Sequence, residues 1–445
     1  MLLTDDLPRA WPGAARGWTV VILLALASVV SQFDRTVVNL MVGPIKAEFD
    51  LDDTHFGMLQ GIAFGVFYIL ACVPIGRLVD RYSRTGVLAV SLGLFSLFAM
   101  GSGLARNFTQ LFLTRVGVGV GEASVTPAAL SMLSDLFPPE RLGRPVSGFL
   151  MSAPIGQGVA FIGGGSLLQW LTTSSFLASG VFQGLEPWQA AFIIVGAPGL
   201  LLVPLFLLLR EPQRRGPGHA ASLPIREVVR VVRERAPALV PMFASFALVS
   251  LVSYAFFIWT PALFQRTYGW NPAQVGLGFG LILIVFGTSG VYFAGWMSDR
   301  LARRGRLDAP LTVAAFGFVG CGVFGTLAPL MPNATAALAM LAPAIFLSMM
   351  PYPCAGASIQ MIVPNRARGQ VTALYITVTT LVGLSVGPII VGMMTDYVFR
   401  DPADIRYSMA IVTGVSAPLM FIMLLAARRP YRNIRAAMTV TADRQ

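Results

Sequence analysis

Apolar runs of about twenty residues, each long enough to cross a hydrocarbon layer of ~30 Å as a helix, recur from one end of this chain to the other. Hydrocarbon offers no partner to an unpaired backbone N–H or C=O, so each run must close its hydrogen bonds within itself and is expected to be α-helical. Twelve can be delimited: 17–43, 54–76, 86–105, 109–137, 145–171 and 188–209, then 237–264, 273–298, 309–331, 335–363, 370–397 and 407–427. Composition agrees, since only 12% of residues are charged and mean hydropathy is +0.71, whereas a soluble domain carries about 25% charge. An all-α polytopic membrane protein is the expected class. Cys72, Cys321 and Cys354 lie within apolar runs at no metal-ligand spacing and read as small core residues. The run from about Gly17 has no small-residue cleavage site and carries charge at its centre, which reads as a retained helix, not a signal peptide.

Basic residues orient the spans, because short cytoplasmic loops carry the excess of Lys and Arg. Of the 32 such residues, 25 fall in segments on the side of the N-terminus and 5 on the other side (Lys46, Arg106, Arg266, Arg400 and Arg406), leaving Arg35 and Arg115 within spans. Both termini are therefore expected to be cytoplasmic. The net charge of +11 reads as a topology signal and not as a nucleic-acid surface. Arg outnumbers Lys 31 to 1, which suggests a GC-rich bacterial genome and hence the inner (plasma) membrane.

The chain also repeats itself. "GRLVDRYSR" at 76–84 returns as "GWMSDRLAR" at 295–303, and "PER" at 139–141 as "PNR" at 364–366. The first repeat follows the second helix of each half and the second follows the fourth. Residues 1–209 and 237–427 thus read as two six-helix bundles, with 428–445 as a tail. Residues 210–236 form a basic linker containing the flexible piece "RRGPGHAAS". Within it, Ile225, Val228, Val229 and Val232 share one helical face, as suits a helix lying in the membrane interface.

Two six-helix halves, each with a Gly-x-x-x-Asp-Arg-x-x-Arg loop, resemble the major facilitator superfamily. "FDRTVV" in the first helix and "TRVGVGVGEASVTPAAL" in the fourth narrow the resemblance to the spinster branch, which exports sphingoid and lysophospholipids. The likeness covers roughly the first 165 residues; the second half matches by its repeated loop and by "GLSVGP" in the eleventh helix. It implies two pseudo-symmetric bundles rocking about a central cavity, with substrate held near the midplane. It also implies that the loop aspartates hold the cytoplasmic side shut, Asp80 at the eleventh helix near Gln370 and Asp299 at the fifth near Pro145, each meeting the positive end of a helix dipole. Arg81, Arg84, Arg300 and Arg303 belong to the same gating loops.

Four charges lie well inside spans, and all are in the first half: Asp34, Arg35, Arg115 and Glu122. Each costs ~2.5–3.5 kcal/mol on insertion scales, so four within two helices need a reason. Counting ~1.5 Å per residue puts Asp34 about 6 Å and Arg115 about 9 Å from the outer face of the hydrocarbon layer, level enough to pair. Asp34 and Arg35 are neighbours pointing ~100° apart and cannot satisfy each other. Glu122 would sit deeper. Arginine keeps its proton, and no histidine lies inside a span, so only Asp34 and Glu122 can carry protons, with Asp34 the favoured one. Arg35 and Arg115, released in turn, would hold an anionic headgroup.

Opposite this charged wall stand "YAFFIW" (Tyr254, Phe257 and Trp259 among them) and "FLSMMPYP" at 346–353, an apolar wall that suits an acyl or sphingoid chain. "GVGVG" at 117–121 has no preceding strand and reads as helix packing, not a nucleotide loop. Gly383, Gly387, Pro388 and Gly392, with Pro154 and Gly156, are expected to let their helices bend. No zinc spacing, nucleophile elbow or phosphate loop is present, so the expectation is no enzyme, no metal and no cofactor beyond the proton as coupling ion. The sequence is best read as a monomeric, proton-coupled, alternating-access transporter of amphipathic lipid in contact with membrane lipids. A symporter of small organic anions or sugar acids is the alternative, followed by a non-transporting receptor or scramblase.

Overall fold

The computed structural model of the chain describes residues 11, 13–138, 141–178, 180–214 and 224–442. All but Arg214 of "RRGPGHAAS", Pro139 and Glu140 of "PER", and residues 443–445 lie outside these. Twelve helices are long and apolar enough to span a membrane: α1 Ala15–Leu40, α2 Asp53–Arg81, α3 Arg84–Ser102, α4 Phe108–Leu136, α5 Gly143–Thr173, α6 Pro187–Leu208, α7 Ala236–Tyr268, α8 Pro272–Arg303, α9 Ala309–Leu330, α10 Ala334–Ile362, α11 Arg368–Phe399 and α12 Pro402–Met438. The described residues contain no strand. Large apolar side chains such as Leu70, Leu201 and Leu208 point outward, as hydrocarbon-facing surface requires. With twelve spans, the described chain enters and leaves on one face, the terminal face; the other is the opposite face.

Several spans are not regular α-helix, and proline and glycine account for much of it. Pro127 has no N–H for the Ala123 carbonyl, and α4 breaks at Ala123–Ser124, directly after Glu122. In the repeat, α10 breaks at Met350 ahead of Pro351 and Pro353. Wide π-turns occupy Leu59–Val66 of α2, Leu283–Gly287 of α8, and Leu381–Val386 of α11 just before Gly387 and Pro388. Such turns are frequent at functional sites.

The bundles meet along two seams toward the opposite face. In one, Gly57 and Gly61 of α2 lie against the backbone of α11, where an added Cβ would come within 2.9 Å of the Pro388 oxygen and 2.6 Å of the Ser385 oxygen. In the other, Gly158 and Gly165 of α5 pack on Gly280 and Gly276 of α8 just as closely. Toward the terminal face a Cβ on Gly76, Gly143, Gly295 or Gly369 would meet nothing within 4 Å. The two seams close the bundles against each other toward the opposite face.

Each bundle has its own ionic tie at the terminal face. In the first, buried Arg84 at the start of α3 pairs with Asp135 of α4 and, at 2.7 Å, with Glu211 after α6. In the second, Asp308 at the start of α9 pairs at 2.7 Å with Arg428 of α12. The two ties occupy related places with their charges reversed.

Two boundary expectations are corrected. Residues 428–442 are not a loose tail, since the last helix runs unbroken to Ala442. Tyr431 is buried, and Arg435 donates to the Met361 carbonyl, docking the extension beneath α10. The linker helix Ile225–Glu234 does not turn its apolar stripe wholly to the membrane: Val228, Val231 and Val232 pack against the second bundle, while Val229 is exposed. A side chain one position round the helix joins the packing because the docking face is rotated from the stripe the sequence suggests.

Candidate functional site

The four intramembrane charges of α1 and α4 resolve into two ion pairs. Arg115 Nη2 donates to Asp34 Oδ2, as their common depth suggests, and both side chains are almost wholly buried, at 2% and 0% of their surface. The guanidinium also lies 5.2 Å from the Phe192 ring of α6. The pairing is incomplete, for Arg115 Nε and Asp34 Oδ1 are buried without a hydrogen-bond partner. Buried polar atoms without a partner also occur at Ser96, Ser124 and Trp188, but here two of them belong to one ion pair.

The second pair is wetter. Arg35 Nε donates to Glu122 Oε2 at 2.8 Å, and the two side chains keep 20% and 7% of their surface. The Arg35 guanidinium carbon stands 4.2 Å from the Phe64 ring centre and 5.0 Å from that of Tyr68, both in or beside the π-turn of α2. Only Nε is engaged. The two terminal nitrogens of the fork have no protein partner among the described residues and are not buried, so they face the space between the bundles. An arginine whose plane is fixed by aromatic rings while its outer edge stays free is pre-shaped to grip an oxyanion bidentately. Tyr254 of α7 lies within electrostatic reach of Arg35 and Glu122, and Tyr352 of α10 within reach of Tyr254. Above this level Gln60 of α2 donates to Asn39 of α1, which in turn donates to the Phe257 carbonyl of α7 at 3.3 Å. This chain of amides floors the site on the closed side.

Three expectations for substrate contacts are corrected. Arg115 does not present itself to a headgroup, because Asp34 and the Phe192 ring enclose it. Trp259 is fully buried, its indole N–H donates to the Pro388 carbonyl of α11 at 2.9 Å, and its ring lies 5.8 Å from that of Phe56 of α2, so it belongs to the seam between the bundles. Phe257 stands edge-on to Phe161 of α5, and its ring is part of the inter-bundle packing. In "FLSMMPYP", Phe346 packs on Phe293 of α8, and Tyr352 is the residue brought near Tyr254. An aromatic run on a helix does not reveal which of its residues face inward.

The gating residues lie apart in this state. Asp80 and Asp299 are exposed rather than seated at α11 and α5. Arg81 lies 5.9 Å from the Tyr82 ring and Arg300 5.4 Å from the Trp296 ring, both beside their own helices, and Arg303 is exposed. Arg84 is corrected outright: it is buried inside the first bundle, where Asp135, Glu211, Ser131 and the Pro212 carbonyl bind all three of its nitrogens. The linker returns to this loop as well, with Arg214 donating to the last carbonyls of α2, those of Val79 (2.7 Å) and Tyr82 (2.8 Å) among them.

An aspartate on a helix start is found at the opposite face instead, at a position with no motif to mark it. Asp396 near the end of α11 accepts from the backbone N–H of Asp53 at 3.1 Å and of Thr54 at 2.6 Å, and from the Thr54 hydroxyl at 2.6 Å. Those are orphan donors at the positive end of α2. Asp53 in turn accepts from both Nη atoms of Arg266 of α7, at 2.7 and 2.8 Å, and from Lys46. This cluster ties α2 of one bundle to α7 and α11 of the other.

The chain matches the family model described as Major Facilitator Superfamily over residues 24–388. It is 29% identical over 429 residues to an MFS-type efflux pump of Mycolicibacterium smegmatis, covering 93% of this chain and 92% of that one. It is 29% identical over 409 residues to protein spinster homolog 1 of Bos taurus (86% and 74%), and 24% identical over 436 residues to a probable L-galactonate transporter of Escherichia coli (94% and 90%). In fold it is similar to the crystal structure of a bacterial homolog of the human lysosomal transporter spinster in an inward-facing, unoccupied conformation, with a TM-score of 0.77, 24% identity, and coverage of 96% and 98%.

Proposed function

Because the chain belongs to the Major Facilitator Superfamily and is a transporter related to spinster and to sugar-acid carriers, we propose that it carries amphipathic lipids of the lysophospholipid or sphingoid type, coupled to protons. The observation that carries this reading is the free fork of Arg35, fixed over Phe64 and Tyr68 in the space between the bundles. A phosphate headgroup meets two outward N–H groups there, while the tail lies along the second bundle. Tyr254 is the substrate contact from that bundle. With 25 of 32 basic residues on its side, the terminal face is the cytoplasmic one, and the membrane is the inner membrane of a bacterium. The protein acts as a monomer and performs no bond chemistry on its cargo.

In this reading the two pairs couple transport to protons in order. Glu122 retains surface and holds Arg35 by one bond, so a proton reaching it releases the whole guanidinium to the headgroup. Asp34 then acts as the inner carboxylate: neutralising it frees Arg115, whose Nε already lacks a partner. The sequence favours Asp34 as the coupling residue; this reading gives the first exchange to Glu122. Arg115 serves as the countercharge that moves the signal between α4 and α1. In the alternate state the cluster at Asp396 parts, and Asp80 and Asp299 seat on α11 and α5, with their neighbouring arginines closing the terminal face.

A second reading, transport of a small organic anion, is favoured by the two phenol hydroxyls, Tyr254 and Tyr352, that the second bundle brings toward the site. Proteoliposomes holding wild type, Arg35→Gln or Glu122→Gln, given a fluorescent lysophospholipid and an imposed pH gradient, separate the readings. Across a one-unit gradient, a single coupled proton supports about tenfold accumulation. Wild type reaches it, Glu122→Gln exchanges lipid without accumulating it, and Arg35→Gln does neither. Accumulation of a sugar acid with no movement of lipid would replace the lipid reading by the organic-anion one.

A further inference from the structure

Where α12 leaves the hydrocarbon layer, its helical extension and the α8–α9 loop enclose a groove of about 620 Å³, lined by Leu307, Leu425, Arg428, Arg429, Arg432 and Asn433. Its chemistry changes along its length. Leu425 stands on the membrane side, the arginines follow one and two turns further out, and Arg304 and Arg306 in the adjoining loop are exposed. The arginines are on a rigid platform, because buried Tyr431 and the Arg435 bond to the Met361 carbonyl fix the extension to the second bundle. They are also not equivalent. Asp308 is the carboxylate at hand, and Arg428 takes it, with a further bond to the Thr312 hydroxyl at 3.2 Å. Arg429 and Arg432 are exposed, and no described carboxylate pairs with them.

Two unpaired guanidinium groups one turn apart, above an apolar step and level with lipid headgroups, form a receptor for a phosphate carrying a net negative charge. We propose that this groove binds the headgroup of an anionic membrane phospholipid, with its phosphate between Arg429 and Arg432, Asn433 donating beside them, and one chain laid against Leu425 and Leu307. The site is built on α12 of the second bundle, whereas Arg35 is on α1 of the first, and it takes a resident of the bilayer rather than the transported molecule. A zwitterionic headgroup is disfavoured, because its ammonium would enter the field of Arg429 and Arg432 while the Asp308 carboxylate is held by Arg428.

The test uses the full chain in detergent micelles with dioleoylphosphatidylglycerol, dioleoylphosphatidylcholine or inorganic phosphate, read by native mass spectrometry and by thermal unfolding. Phosphatidylglycerol is expected to stay bound and raise the unfolding temperature, and phosphatidylcholine to do neither. Replacing both arginines by glutamine is expected to weaken phosphatidylglycerol binding by about thirtyfold, the combined contribution of two basic residues at a membrane surface. Each single change, Arg429→Gln or Arg432→Gln, should give about fivefold. Arg106→Gln, an exposed arginine toward the opposite face, should leave binding as in wild type and controls for net charge. The proposal is overturned if the double variant, shown folded by its circular dichroism, holds phosphatidylglycerol as wild type does, or if phosphatidylcholine binds equally well. It is also overturned if millimolar inorganic phosphate displaces the lipid, which would make the groove a site for soluble phosphate.

Discussion

Arg84 and Arg115 are both fully buried arginines of the first bundle, and they are held in opposite ways. Arg84 spends every nitrogen: Nε on Glu211, Nη1 on Ser131 and Asp135, and Nη2 on the Pro212 carbonyl. Arg115 spends one nitrogen on Asp34 and leaves Nε with nothing, while Asp34 leaves Oδ1 with nothing. A saturated buried charge is anchored, since any movement would break several bonds at once. A half-saturated one has a second arrangement available in which the missing bonds are made elsewhere. The contrast separates a structural tie from a working part at equal burial.

The largest effect is expected at the tie. Arg84→Met leaves Asp135 and Glu211 facing each other without a cation and should cost about 3–5 kcal/mol, seen as loss of monodisperse protein and a lower unfolding temperature. Unchanged stability would mean that saturation says nothing about anchoring. For the working pair, exchanging both partners together (Asp34→Asn with Arg115→Met) should cost under ~1.5 kcal/mol, because no lone charge is left behind, while gradient-driven transport disappears. A double variant that still transports would make the pair mere glue between α1 and α4.

The cluster at Asp396 is the intermediate case, saturated but shared between bundles. Asp396→Asn keeps the shape and removes the charge from three hydrogen bonds, worth ~1.5–3 kcal/mol, enough to shift the balance of open and closed states about tenfold. A cysteine in place of buried Thr260, in a chain without its native cysteines, should then react faster with an impermeant maleimide added at the opposite face. Equal labelling rates would assign the closure to the glycine seams. The smallest effect concerns Glu211. Burial works to raise its pKa, but the Thr85 N–H, Arg84 and the Ser83 hydroxyl outweigh it and hold the carboxyl below its ordinary 4.5. A depressed folded pKa means that stabilisation is present above the ordinary value and lost as pH falls through the folded one. Wild type should therefore exceed Glu211→Gln in unfolding temperature at pH 7 and lose that advantage below about pH 4; an advantage that persisted in acid would place the effect in packing.

The fold was legible because a bilayer leaves one solution to a long apolar run, and most ends fall within a few residues of those read from hydropathy. The α12 extension was missed because its arginines resemble a solvated tail, and the buried Tyr431 beneath α10 is a contact with no local signature. In the site, depth was readable and rotation was not. Counting residues along two antiparallel helices puts Asp34 level with Arg115, but only the position of Phe192, 77 residues further on, decides that Arg115 turns inward. The repeated loop drew Arg84 into the gate by position alone. Asp396 gave no signal, since an acid near a helix end is ordinary and its partners are more than 340 residues away.

The reversed polarity of the two terminal-face ties has a consequence for how a duplicated chain assembles. Its halves share six helices each and the same loop motifs, so a helix of one half could wrongly associate with the other half. If α3 met α12, Arg84 would face Arg428; if α9 met α6, Asp308 would face Glu211. Both mismatches bring like charges together where burial magnifies their repulsion. The halves share a plan, and a swap of sign at one shared place lets each recognise its own.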